Sequence, residues 1–226
     1  AMASNNAQAA TQATTGNNIV LTITASESVT LLVCTIDGEA TTMGGSTTAW
    51  TSTLTLSGDE TPGNAVFSCA SFKDATGNVG TTDTSASSGT VNIDYAVPTL
   101  GIVMSTSNSN SGLAKSGDNI VLTITPNEAV TALVCTIDGE ATTMGGSGTS
   151  WTSTLTLDGD ETEQSTVFSC ASFIDTAANA GVTDTGADTG AVTVDLTLPT
   201  LGIAIASNNG VSTLAKSGNN IVLTIT

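Results

Sequence analysis

Four cysteines and a small set of recurring acid and amide side chains hold most of the chemistry this sequence could perform. Cys34 and Cys69 reappear about 101 residues later as Cys135 and Cys170. A pair that recurs at the same places argues for one disulfide inside each copy, Cys34 with Cys69 and Cys135 with Cys170, and so for an oxidising compartment. Such a bridge would contribute about 4 kcal/mol in the chain-entropy account. The alternative is four buried thiols packing as small hydrophobes. A zinc site is disfavoured, because two sulfurs without histidine leave the tetrahedron half filled.

Oxygen donors are the second resource. Asp74 with Asn78, and Asp175 with Asn179, each place two oxygen-bearing side chains in one short loop, the ligand type that calcium prefers. Set against this, Asp and Asn in turns commonly hydrogen-bond their own backbone. No cofactor is required by anything in the sequence, and calcium is the one ion its donors suit. The chain has no histidine, which removes the usual general base and every Ser/His/Asp or Cys/His arrangement. Asp59 with Glu60, and Asp160 with Glu161, are paired carboxylates, but each pair falls in a turn and reads as solvated. No catalytic residue is assigned, and the chain is expected not to be an enzyme. Trp50 and Trp151 share a strand face with Leu54 and Leu56, or Leu155 and Leu157, which points to core packing before sugar stacking.

These residues need elements to position them, and the sequence pattern is that of strands. In Asn18–Thr24, NIVLTIT, Ile19, Leu21 and Ile23 share one face and Val20, Thr22 and Thr24 the other, the period of a half-buried strand. Cys34 with Ile36, Phe67 with Cys69, and Val91 with Ile93 and Tyr95 repeat the alternation. Phe72 breaks it, requiring either a bulge or a position at the domain end. Turn chemistry separates the runs at Ile36–Ala40, Gly44–Ser46, Gly58–Thr61 and Asp74–Asn78. About seven short strands in about 100 residues predict an all-β chain of immunoglobulin-like β-sandwich domains.

Three copies of the pattern are present. The stretch Val33–Ser46 recurs letter for letter at Val134–Ser147, and NIVLTIT begins at Asn18, Asn119 and Asn220. The predicted domains are 1–98, with a shortened leading strand, 99–199, and 200–226 as the first two strands of a third copy. The chain reads as a piece of a longer array, and the surplus strands suggest either an arbitrary cut or head-to-tail self-association by strand addition. Pro98 and Pro199 stand in junctions that lack a Gly/Ser linker, which predicts restricted bending. A net charge of −17, with only three lysines, argues against nucleic-acid and anionic-membrane partners. No run of residues reaches the length of an apolar span, so this segment is not expected to insert into a membrane.

The motifs PTLGIVM, LAKSGDNIVLTIT, WTSTLTL, FSCASF and VTVD before the next PTL resemble the Ig-like tandem repeats of giant bacterial cell-surface adhesins, in the biofilm-associated and long repetitive class. That resemblance implies an extracellular, cell-surface stalk or filament segment whose partners are neighbouring repeats. It also implies calcium at the joints, which adds Asp94 and Asp195 to the candidate ligands. The alternative is a binding module that recognises glycan or protein through loops where the copies differ, such as Ser57–Ala65 against Asp158–Thr166.

Overall fold

Alternation becomes two facing layers in each repeat. The computed structural model describes residues 1–226. In the first repeat one sheet runs in the order Met2–Ser4, Asn18–Thr24, Ala49–Thr55, Thr42–Ser46, and the opposing sheet runs Glu39–Ala40, Val33–Ile36, Phe67–Ala70. A small third ladder joins Gln12–Ala13, Asn92–Ile93 and Gly63–Asn64. The second repeat reproduces the larger sheets with Leu100–Thr106, Asn119–Pro126, Ser150–Thr156 and Thr143–Ser147, facing Glu140–Ala141, Val134–Ile137 and Phe168–Ala171. The chain is all-β, with Ig-like sandwich domains. Ala1–Val194 forms one compact unit containing both repeats, and Asp195–Thr226 forms another. No helix is long and apolar enough to cross a membrane.

The buried faces are those the alternation selects. Ile19, Leu21, Leu54 and Leu56 meet Cys34, Ile36 and Cys69 from the facing sheet, with Trp50 packed against their edge. Burial of branched side chains between two sheets is the main stabilising term of such a sandwich. Where the chain crosses between layers, Thr41 Oγ1 donates to Cys34 O (2.8 Å) and Ser52 Oγ donates to Thr41 Oγ1 (2.6 Å). Thr142, Cys135 and Ser153 repeat the pair of bonds. The fully buried Ser52 and Ser153 are thereby satisfied.

Both disulfides form as the repetition predicts, Cys34–Cys69 and Cys135–Cys170. Each bridges directly opposed residues of neighbouring antiparallel strands, so it staples one sheet internally instead of joining the two layers. Both turns at IDGEA are two-residue hairpins. Ile36 pairs with Glu39 and the intervening Asp37 and Gly38 have φ of 51° and 83°, the doubly left-handed turn that Asp-Gly favours.

Two features depart from the sequence expectation, and a third resolves an alternative that the sequence left open. The strand count is higher than seven, because several two-residue ladders pair where turn residues crowd the chain. The apolar run at Val91 to Tyr95 yields only Asn92–Ile93, held parallel to Gln12–Ala13. Phe72 points inward: Ser71 has φ 61° and Ser172 the same, and a left-handed residue at that place shifts the register so that Phe173 is buried at 1 % exposure. In Asp195–Thr226 the strands Ile203–Ser207 and Ile221–Ile225 form a hairpin with all of its apolar residues exposed, as expected of two strands without a covering layer.

Candidate metal centre at the repeat junction

The loop Asp175–Asn179 of the second repeat is the local structure from which the site is built. Asp175 accepts from the backbone N–H of Asn179 (2.8 Å) and from Asn179 Nδ2 (2.8 Å), an Asx-type turn closed by its own carboxylate. Ala178 takes φ 72°, where the first repeat has Gly77 at 92°. The loop then meets the first repeat. Asn179 Nδ2 also donates to Asp94 O (3.0 Å), Thr14 Oγ1 donates to Asn179 Oδ1, and Asn6 Nδ2 donates to Ala177 O (2.8 Å). Asp175 is 1 % exposed and Ala177 is fully buried.

Against this loop, Asp94, Glu128 and Asp175 place carboxylate oxygens within 4.8 Å of one another. Burial and then the charges of Asp175 and Asp94 push the Glu128 carboxyl above its ordinary value. Three hard oxygen donors with no histidine or thiol beside them fit calcium better than a transition metal. Asp94, Glu128 and Asp175 would hold such an ion, and its charge would offset the repulsion that raises Glu128.

Of the six sequence-derived ligands, the structure therefore brings together Asp94, Asp175 and Asn179. Asp74 and Asn78 form the same turn at the other end of the first repeat, where Asp74 accepts from Thr76 N, Asn78 N and Asn78 Nδ2 at 2.7–2.8 Å. Those bonds, the Asn78 side chain foremost, lower its carboxyl to about 2. Asp195 is exposed and accepts from Thr197 N (3.1 Å); it joins no cluster. Glu128 was not singled out, although the recurrence of Glu27 and Glu128 at the same place in each copy is a signal that marks it.

A second acidic group, Asp158, Asp160 and Glu161, also lies within 4.8 Å. Here the expectation of solvated turn carboxylates fails for one member of each pair. Glu60 and Glu161 are both 8 % exposed, because each caps its own loop. Glu60 accepts from Ser57 N (2.9 Å), Gly58 N (3.0 Å) and Tyr95 Oη (2.5 Å), and Glu161 accepts from Asp158 N and Gly159 N, both 2.9 Å. Burial alone would raise the Glu60 carboxyl, but the bonds from Tyr95 and the loop N–H groups outweigh it and bring it from 4.5 to about 2. Burial and the Glu60 carboxylate raise Tyr95.

A carboxyl depressed in the folded state stabilises fully above its unfolded value and loses that contribution as pH falls. Glu60→Gln should therefore cost the first repeat about 2 kcal/mol at neutral pH. The gap from wild type should close as pH drops from about 4.5 towards 2. Acid titration of unfolding midpoints checks this, and a gap independent of pH contradicts it.

No protein-family model matches this chain, and no curated protein matches it in sequence. Among solved structures, the chain is similar to the Bacteroides ovatus mixed-linkage glucan utilisation protein SGBP-B in complex with a heptasaccharide, at 14 % identity and TM-score 0.25. That match covers 92 % of this chain and 48 % of the other, so this chain spans about half its length. It is also similar to titin domains Z1Z2 in complex with telethonin, at 10 % identity and TM-score 0.28, covering 84 % and 92 %.

Proposed function

We propose that this chain is a non-catalytic structural segment, a stalk or filament portion of an extracellular surface protein of the adhesin-repeat kind, whose joints are stiffened by calcium. The observation that carries this reading is the joint itself. Asn6, Thr14 and Asp94 of the first repeat bond directly to Ala177 and Asn179 of the second, and Pro98 is buried between them in sequence. A spacer needs fixed angles between domains, and three hydrogen bonds around a buried loop supply them where a Gly/Ser linker would not. The disulfides fit an oxidising exterior.

Calcium at Asp94, Glu128 and Asp175 would turn three repelling carboxylates into a cross-link, since Asp94 comes from the first repeat and the other two from the second. Asn179 positions Asp175 for this and reaches Asp94 at the same time. The loops in which the copies differ are closed around Glu60 and Glu161, and both tryptophans are half-buried, with their indole N–H donating to Thr47 O and Gly148 O. This arrangement favours scaffold over sugar platform. A glycan array read together with tryptophan fluorescence separates the two roles. The spacer reading expects no saturable binding and no quenching, whereas saturable binding with quenching would replace it with the binding-module reading.

A further inference from the structure

Three carboxylates crowd the joint between the two repeats, and the repeat pattern shows where a lysine could have answered them. Asp94, Glu128 and Asp175 bring oxygens within 4.8 Å of one another. The basic residues of the chain are Lys73, Lys115 and Lys216, and they fall at only two positions of the repeat. One position precedes the Asx-type turn, as Lys73 before Asp74, and its counterpart at the joint is Ile174 before Asp175. The other holds Lys115 and Lys216, and its counterpart at the joint is Thr14. At the joint both positions are neutral.

Thr14 stands where a cation would act. Asp94 N donates to Ala13 O (2.9 Å), continuing the parallel ladder between Gln12–Ala13 and Asn92–Ile93, so position 14 lies beside Asp94. Across the joint the Thr14 hydroxyl donates to Asn179 Oδ1. Asn179 Nδ2 in turn donates to Asp175 Oδ2 (2.8 Å) and to Asp94 O (3.0 Å). The backbone at this position also suits lysine. Thr14 N donates to Asn17 Oδ1 (2.9 Å) and Thr14 O accepts from Asn17 N (3.0 Å). Lys115 makes the same turn with Asp118, both bonds at 2.9 Å. In the second repeat the turn thus carries a lysine and an aspartate, where the first carries Thr14 and Asn17.

We propose that Thr14 is the residue that makes this joint depend on a cation from solution, and that a lysine at its position would supply the charge from within and exclude calcium. An ammonium reaching past Asn179 would offset the repulsion between Asp94 and Asp175, and would oppose entry of a divalent ion into the same space by like-charge repulsion. Threonine does neither: its hydroxyl orders Asn179 and leaves the carboxylate oxygens open to an ion, which takes just such donors. One residue therefore sets whether a joint of this repeat asks for calcium. This deepens the reading of Asp94, Glu128 and Asp175 as a calcium site and rests on it.

The test is calcium titration calorimetry of the full chain, with unfolding midpoints in chelator and in calcium. Wild type should bind the ion and rise in midpoint. Thr14→Lys should bind at least tenfold more weakly, and in chelator its midpoint should lie roughly 2–4 °C above wild type, a gain that shrinks in molar salt. Thr14→Arg, a second cationic variant, should shift both readings in the same direction. Thr14→Met, long but uncharged, loses the bond to Asn179 without adding charge, and should gain nothing in chelator while keeping its response to calcium. A wild type that responds to calcium together with cationic variants that respond equally overturns the role of position 14 and leaves the calcium site standing. A wild type indifferent to calcium, with cationic variants that still gain stability in chelator, overturns the calcium reading and keeps position 14 as the place where the joint's charge is answered. Equal gains from Thr14→Met and Thr14→Lys would assign the effect to packing and overturn the proposal.

Discussion

Replacing Cys135 and Cys170 together by alanine should lower the stability of the second repeat by about 4 kcal/mol, the chain-entropy value for a bridge spanning 35 residues. For a domain of this size that corresponds to a fall of roughly 15 °C or more in its unfolding midpoint. The effect is large because the bridge ties strands whose connecting segment holds two hairpins and the crossing between sheets. Removing it frees that segment in the unfolded state while the folded sheet retains its ladder between Val134–Ile137 and Phe168–Ala171. Calorimetry of the variant should show this shift, and wild type under reductant, which also opens Cys34–Cys69, should shift at least as far. A change of under about 1 kcal/mol would show that the strand ladder alone fixes the fold. Cys34→Ala with Cys69→Ala should act likewise on the first repeat.

Adding calcium should raise the unfolding midpoint of the two-repeat unit, by an amount equivalent to about 2.7 kcal/mol when the ion is at a hundred times its dissociation constant. The discriminating variant is Glu128→Gln, for which the sign reverses with conditions. Glu128 is raised by burial and by its carboxylate neighbours, so in chelator its ionised form weakens the folded state as pH rises through the folded value. Without calcium at neutral pH, the glutamine variant should therefore be more stable than wild type. With calcium it should be less stable, having lost one of three ligands. Magnesium should do less, since it demands tighter octahedral geometry. A variant that is destabilised equally in both conditions would mean that Glu128 serves packing and not an ion.

How much of this was readable beforehand depended on whether the determinant was local. Apolar alternation in NIVLTIT and WTSTLTL specifies which face is buried, and Asp37-Gly38 specifies its hairpin, because a few consecutive residues suffice. The cysteine pairing followed from repetition alone. Phe72 was ambiguous because the deciding event is the left-handed conformation of Ser71, repeated at Ser172, which serine does not advertise. Glu60 and Glu161 looked like turn residues by composition and are instead buried caps, since their partners are loop N–H groups and, for Glu60, a tyrosine 35 residues away. The junction was half legible. Asp94, Asp175 and Asn179 belong to it, but Glu128, Asn6 and Thr14 enter only through contacts between repeats, and Asn6 and Ala177 are 171 residues apart.

A fixed joint between the two repeats is the central claim, and ¹⁵N relaxation of the amides in Ala1–Val194 tests it most directly. Both repeats should report one shared rotational correlation time and one diffusion tensor, with calcium removing residual motion at Asp94 to Ile102. Asn179→Ala should release them, because it deletes the side chain that holds Asp175, Thr14 and Asp94 at once. Two independent correlation times in the wild type, each that of a domain of about 100 residues, would contradict the account with or without calcium.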